Sequence, residues 1–383
     1  MIRIANAIAA RLKSRRFLTG LGLAGSAGPR LRTLLVAAGA AVTALAAGEL
    51  ACRLDDRLFA DIALSANPDR EFDLLTAEAW GWHGKPFGSY RKWRLNNYGF
   101  QGPDLAPQPA AHRVMVLGAS ETFGLYEKAG NSYPAILART LSGQGLADIE
   151  IVNAALPGMA LPSMTTFWQE WASRFKPQTV LVYPSPLFYL EQSVPRPLAS
   201  PVAQPPPGLR LRVLERLLDQ LKQVPLLRTL RARFIVGQAL TGTDPHDLFT
   251  EQIPLDRLAA FSADLEKLAA SIEARGSRPV LITHAFKTTS PPHPADRADL
   301  DYFRIFYPRV TPAGFPAFEA AARDAVIALG RRRAWPVIDV AADLTGRREL
   351  FADPVHFNDA GSQVMARLIA ARLPEIAGPG AKR

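Results

Sequence analysis

The stretch RVMVLGASETFG, residues 113–124, decides the fold. Its first half is a short, unbroken apolar run, which suits a strand covered on both faces better than one with a face in water. Gly118 ends the run, and Ala119 and Ser120 make a turn of small residues leading into Glu121-Thr122-Phe123-Gly124. Four more runs of this kind follow: DIEIVN (148–153), TVLVYP (179–184), PVLITH (279–284) and PVIDVA (336–341). Helical patterns fill the intervals near 132–142, 160–175, 257–275, 315–330 and 359–373. The alternation predicts an α/β fold, a three-layer α/β/α domain with a mostly parallel five-stranded sheet. Right-handed crossovers then bring the carboxyl ends of the strands to one edge, where Ser120 stands.

Two segments depart from the alternation. Residues 53–110 read as an irregular lead-in rich in aromatic and turn residues, including Trp80-Gly81-Trp82-His83-Gly84-Lys85. Residues 191–256 divide the core into 111–190 and 257–375, with a tail at 376–383. The insertion starts with six prolines from Pro195 to Pro207, which favour an extended, semi-rigid connector. Val213, Leu214, Leu217, Leu218 and Leu221 follow at helical spacing; Pro225 breaks the pattern, and Leu226, Leu227, Leu230 and Phe234 resume it. A connection of this length within a domain is usually functional. Four readings of it stay open: a lid, a partner-docking hairpin, a membrane-surface helix, or a helical pair packed on the body.

Ahead of the lead-in, residues 1–32 form a basic arm, and TLLVAAGAAVTALAAG (33–48) carries no charge. Extended to Cys52, this is close to the roughly 20 residues a membrane helix needs. We read 33–52 as an uncleaved signal-anchor or transmembrane helix; the bland alternative is a buried alanine-rich helix of a soluble domain. Ala44-Leu45-Ala46 has the form of a signal-peptidase site, Glu49 spoils a lipoprotein box before Cys52, and Ser14-Arg15-Arg16-Phe17-Leu18 lacks one spacer of a twin-arginine signal. The positive-inside rule keeps the arm cytoplasmic and places the rest in the extracytoplasmic, periplasmic space, single-pass in the inner membrane.

The net charge of +10 follows this division. Seven basic residues and no acid lie in 1–32, and 208–238 carries seven basic residues against Glu215 and Asp219. The remaining chain has 31 basic and 33 acidic residues, so the body lacks the clustered charge of a nucleic-acid surface. The insertion's charge suits an anionic membrane surface or a protein partner docking through 208–238. Cys52 is the single cysteine, which excludes an internal disulfide and a cysteine-based zinc site. No P-loop, no dinucleotide-binding glycine motif and no His-Glu-x-x-His occurs, so neither a cofactor nor a metal is expected.

The residues fit for chemistry lie at the ends of the predicted strands. Ser120 follows the first. The second ends at Asn153-Ala154-Ala155-Leu156-Pro157-Gly158, where the glycine lets a backbone N–H approach a ligand. After the fifth stands Asp353-Pro354-Val355-His356, with a carboxylate placed three residues from an imidazole it can orient. Nucleophile, base, orienter and backbone donors are the parts of covalent acyl transfer. His284 ends the fourth strand, with a core or capping role favoured over substrate contact. His293 lies among prolines at no metal-pair spacing, and His83 and His112 read as structural.

These blocks resemble the SGNH/GDSL-like hydrolases of the membrane-anchored bacterial type. Gly118 to Gly124 matches Gly-Asp-Ser-x-Thr-x-Gly with Ala119 in place of the aspartate; Asn153 to Gly158 matches the second block and Asp353-x-x-His356 the last. Asn96-Asn97-Tyr98-Gly99-Phe100-Gln101-Gly102-Pro103-Asp104 is similar to the Asn-x-x-Gly-Phe-Arg-Gly-Pro stretch before the core. The resemblance implies a flavodoxin-like (SGNH) sheet, Ser120 as nucleophile, His356 as general base and Asp353 as its partner. It also implies oxyanion donors at the Ser120 and Gly158 backbone. The third-block asparagine is missing: the region reads Val182-Tyr183-Pro184-Ser185-Pro186-Leu187-Phe188-Tyr189, leaving Ser185 as a substitute donor. Losing one such donor typically costs about 100- to 1000-fold in rate.

The expected activity is therefore that of a serine esterase or O-acyltransferase on an acyl ester, with an envelope glycan as the substrate suggested by location. A non-catalytic glycan-binding or scaffold component of the same fold is the alternative, motivated by the missing asparagine. A flavodoxin-like protein holding a phosphate at the serine loop is a third reading.

Overall fold

The computed structural model describes residues 29–60, 64–65, 74–90, 92–106, 112–190, 211–242, 244, 248–249 and 252–377. The arm before Pro29, the Pro195–Pro207 connector and the residues after Ala377 lie outside these. The chain divides into two compact units, Met1–Ala66 with Leu209–Gln220, and Asn67–Gly208 with Leu221–Arg383.

The smaller unit is built on helix α1 (Pro29–Ala60), 32 residues long. At 1.5 Å per residue it extends about 48 Å. Its Arg30–Leu58 segment is long and apolar enough to cross a membrane by length and composition, and its apolar window is wholly unburied. The helix runs past Cys52, so residues 53–60, expected to be irregular, are helical. Residues 212–220 of the amphipathic helix Arg212–Gln223 belong to this unit and join it through their polar side. The Arg212 guanidinium donates to Asp56 at 2.8 Å, Arg216 reaches both Asp55 and Asp56, and the Val213 N–H donates to Glu49 at 3.0 Å.

The larger unit starts with two small antiparallel hairpins, β1 (Leu75–Glu78) with β2 (Gly81–Gly84) and β3 (Ser89–Tyr90) with β4 (Trp93–Arg94). The lead-in thus carries regular structure that its composition did not suggest, because strands of two to four residues have too little periodicity to read. The Asn96–Asp104 block ties itself into a turn: Asn96 Oδ1 accepts from the Tyr98 and Phe100 N–H groups, and Asn97 Oδ1 from Leu105 N–H. Gly99 has φ +83°, and a Cβ there would lie 1.8 Å from the Gly84 carbonyl oxygen, so the hairpin leaves room for glycine alone.

The core is a five-stranded, wholly parallel sheet of β5 (His112–Gly118), β6 (Ile149–Asn153), β7 (Thr179–Tyr183), β8 (Arg278–Ile282) and β9 (Val337–Ile338). Their spatial order, β6-β5-β7-β8-β9, is the flavodoxin-like 2-1-3-4-5 arrangement. Alternation along β5 explains its unbroken apolarity. Val114 and Val116 face a core with Leu137, Leu141, Met365 and Ile369, whereas Met115 and Leu117 face Phe167, Trp168, Leu265 and Phe318. The first set comes from helices α3 (Tyr133–Gly143) and α9 (Asp359–Ala377), the second from α4 (Leu161–Glu170), α7 (Leu255–Ala274) and α8 (Gly314–Arg333); the short helix Ser120–Phe123 is α2. Three layers result, as expected.

The fifth strand is shorter than its sequence run. After Ile338 the Asp339 carboxylate turns to Arg323 and Thr283, and the Ala341 N–H donates to Thr283 Oγ1 at 3.0 Å. Side-chain bonds take the chain out of the ladder there. In the insertion, Pro225 opens a second helix, Pro225–Ala239, at a position where its missing N–H costs nothing.

Candidate active site

Ser120 starts a one-turn helix, Ser120–Phe123, directly beyond β5. Because β5 lies between β6 and β7, this is the switch point at which such sheets open a crevice at their carboxyl edge. The turn is tight: a Cβ on Gly118 would lie 2.0 Å from Thr122 Oγ1, and Thr122 in turn bonds the buried Tyr133 hydroxyl at 2.9 Å. The lead-in clamps the turn from outside. Gln101 Nε2 donates to the Phe123 carbonyl and Trp93 Nε1 to the Gly124 carbonyl, while Asn153 Nδ2, at the end of β6, donates to the Thr122 carbonyl.

His356 arrives from a chain position 236 residues away. Its Nε2 lies 2.9 Å from Ser120 Oγ, and its Nδ1 lies 2.7 Å from Asp353 Oδ2. Asp353 Oδ1 accepts the Val355 and His356 backbone N–H groups at 3.0 and 2.8 Å. One carboxylate oxygen therefore fixes the turn and the other fixes the ring. An ionised carboxylate only accepts, so Nδ1 carries the proton and Nε2 is free to accept from the serine hydroxyl. All three residues are half-buried. Burial opposes charge on His356, but the Asp353 bond and charge outweigh it, with Glu121 and Glu127 adding to them, so its pKa rises above the ordinary 6.5. Burial also works against an ionised Asp353, yet its bonds to His356 hold its pKa below 3.8.

A second histidine lies on the other side of the same loop. His284 Nε2 is 3.3 Å from Glu121 Oε1 and His284 Nδ1 is 2.9 Å from Glu319 Oε2, with all three side chains buried. Burial disfavours the cation, but the two carboxylates prevail and raise the His284 pKa; Glu121 is correspondingly held well below 4.5 despite its own burial. Each ring nitrogen faces a carboxylate oxygen, an arrangement that favours the imidazolium beside Ser120. Glu121 Oε2 also lies 3.3 Å from Ser120 Oγ. The Tyr183 ring stacks on His284 at 5.1 Å, and its hydroxyl accepts from the Ala285 N–H. His284 is thus an ion-paired interior residue, sealed from substrate.

Sequence reasoning missed Glu121 and Glu319. Glu319 had a signal, since it sits among Phe315, Phe318, Ala322 and Val326 on the buried face of its helix. The other histidines among the described residues have structural contacts: His83 stacks on Trp171 at 4.0 Å, His112 bonds Thr179, and His293 Nδ1 accepts from Ala295 N–H.

Gly158 has the left-handed φ of +76° and open space around its α-carbon, and Ser185 is buried two residues past β7. No hydrogen bond joins either to Ser120 or His356 among the described residues. No group of three or more His, Cys, Asp or Glu side chains that could hold a metal ion occurs among those residues. A cavity of about 470 Å³ lined by Trp93, Gln101, Gly124 and Lys128 touches the end of the serine turn but none of Ser120, Asp353 and His356.

No protein-family model and no curated protein matches the chain. Among solved structures, it is similar to a lipase/acylhydrolase from Enterococcus faecalis at 15% identity, covering 70% of this chain and 98% of that one with a TM-score of 0.41. A putative lipolytic protein of the G-D-S-L family from Desulfitobacterium hafniense follows at 14%, with coverages of 68% and 98% and a TM-score of 0.38. A psychrotrophic esterase from Pseudoalteromonas follows at 9%, with coverages of 69% and 98% and a TM-score of 0.41. At identities and scores this low, these likenesses do not bear on the chemistry of this chain.

Proposed function

We propose that the chain is an SGNH-like serine esterase or O-acyltransferase acting on an acyl ester. The observation that carries this reading is the unbroken Ser120–His356–Asp353 hydrogen-bond chain, 2.9 and 2.7 Å long, at the carboxyl edge of β5. Ser120 Oγ attacks the acyl carbonyl carbon while His356 Nε2 takes the hydroxyl proton. Asp353 stabilises the imidazolium that forms. The backbone N–H groups of Ser120 and Gly158, with the Ser185 hydroxyl as third donor, receive the oxyanion. His356 returns its proton to the departing alcohol, which leaves an acyl ester on Ser120. Water resolves it in an esterase and a sugar hydroxyl in a transferase. The Glu121 carboxylate, 3.3 Å from Ser120 Oγ, favours the imidazolium of the transition state.

In this reading α1 is a single-pass anchor and the larger unit is extracytoplasmic, which makes an envelope glycan ester the natural substrate. The non-catalytic alternative rests on the absence of an asparagine from Val182–Tyr189. Turnover of p-nitrophenyl acetate, with an initial burst of one product per chain, separates the two. Our reading requires turnover by the wild type and none by Ser120→Ala; no turnover by folded wild type, with glycan binding retained in Ser120→Ala, would favour the binding protein.

A further inference from the structure

The insertion helices are built inside out. In α5 (Arg212–Gln223), Arg212 and Arg216 turn inward to Asp55 and Asp56 of α1, and Arg212 is buried. Leu214, Leu217, Leu218 and Leu221, spaced i, i+3, i+4 and i+7, are all exposed. A soluble helix does the reverse, burying its leucines and leaving its arginines in water. Asp55 and Asp56 lie near the carboxyl end of the membrane-length segment Arg30–Leu58. A helix fastened there by its polar face presents its apolar face at a membrane boundary.

The second helix, α6 (Pro225–Ala239), repeats the pattern within the other unit. Ala232 and Val236 pack inward, and Arg228 lies on the same side, over the Tyr302 ring at 4.1 Å and paired with Asp299. Leu226, Leu227, Leu230 and Phe234 are exposed on the opposite side. At 100° per residue, Arg231 and Arg233 flank that apolar face on its two sides, Arg231 also donating to the Tyr302 hydroxyl at 3.4 Å; long basic side chains so placed can reach lipid phosphates while leucines enter the acyl boundary. Of the six basic residues across 212–239, Arg212, Arg216 and Arg228 pair inward with acids, and Arg231 and Arg233 are the ones that border the leucine face. A protein partner accounts for exposed leucines, but not for their placement on a helix clamped to the end of a membrane-length segment, nor for the arginine margins.

From these observations we infer that α5 and α6 are interfacial helices that lie on an anionic lipid bilayer through their leucine faces. The docked α6 is linked to the site: Arg228 pairs with Asp299, Asp299 with Lys287 at 2.7 Å, and the Lys287 N–H donates to the Pro354 carbonyl in the turn that carries Asp353 and His356. The Ser120 site thereby works beside the membrane surface. The inference does not depend on the acyl chemistry.

The test uses the full chain with Cys52→Ser, reconstituted in phosphatidylcholine–phosphatidylglycerol vesicles with and without bromine-labelled acyl chains. An environment-sensitive fluorophore is attached at Leu218→Cys or Leu230→Cys, and at Asp219→Cys on the opposite side of α5. Blue-shifted emission, quenched by the brominated lipid about fivefold more at 218 and 230 than at 219, is the expected result for shallow interfacial burial. Water-like emission at all three positions overturns the inference. Emission shielded from water at 218 and 230 yet unquenched by brominated lipid also overturns it, because a protein partner or a second copy then covers the face.

Discussion

Two histidines flank the Ser120–Glu121 dipeptide, and the difference between them lies in what each second nitrogen meets. His356 has one carboxylate, Asp353, and one hydroxyl, Ser120; it is half-buried and can pass its proton back and forth. His284 has a carboxylate at each nitrogen and is buried, and the two carboxylates raise its pKa and favour the cation. In the proposed mechanism the same imidazole serves as a base in one setting, whereas in the other it is an ion-paired interior group. Partner identity and access divide the roles, not the residue type.

The largest effects should break the first of these settings. Ser120→Ala and His356→Ala should each lower ester turnover by about 10⁴- to 10⁶-fold in steady-state assays, and Asp353→Asn by about 10⁴-fold, through the wrong tautomer. Retained turnover in any of the three would remove the triad from the mechanism. Next comes the sealed setting. His284→Gln withdraws the cation between two buried carboxylates and should cost about 3–5 kcal/mol of stability in urea unfolding. A variant as stable as the wild type would mean that the triplet is not an ion-paired cluster.

How much of this contrast the sequence disclosed depends on range. The five strands were readable because both faces of β5 are covered, which leaves an apolar run without a polar alternation. The pairing of Ser120 with His356, 236 residues apart, was readable because parallel strands bring their carboxyl ends to one edge and because both residues sit in blocks that resemble a known family. Glu121 and His284 are separated by 163 residues and belong to no such block, so nothing local announced their contact. The leucine stripe of α5 was also readable, but periodicity identifies an apolar face without saying whether it points inward. Here Asp55 and Asp56 decide, and they lie about 160 residues earlier in the chain.

Smaller perturbations sharpen the comparison further. Gly118→Ala forces a Cβ against Thr122 Oγ1 and should destabilise the serine turn by about 1–3 kcal/mol, measured by urea unfolding. An unchanged midpoint would show that the turn adjusts freely. The smallest expected effect couples the two histidines. His356 must be neutral to accept the serine proton and its pKa is raised, so kcat/KM should fall as pH drops through a value above 6.5. Glu121→Gln withdraws one of the negative charges behind that rise, so the acid limb should move to lower pH, by about half to one unit. An acid limb that does not move would show that the sealed triplet has no electrostatic hold on the base.

The central claim is that Ser120 is a nucleophile made reactive by His356. Fluorophosphonate treatment of the full chain, followed by mass spectrometry of its peptides, tests it most directly. A single adduct on the peptide containing Ser120, absent from Ser120→Ala and strongly reduced in His356→Ala, is the predicted result. Folded wild-type protein that takes no label, or Ser120→Ala that labels equally, would contradict it.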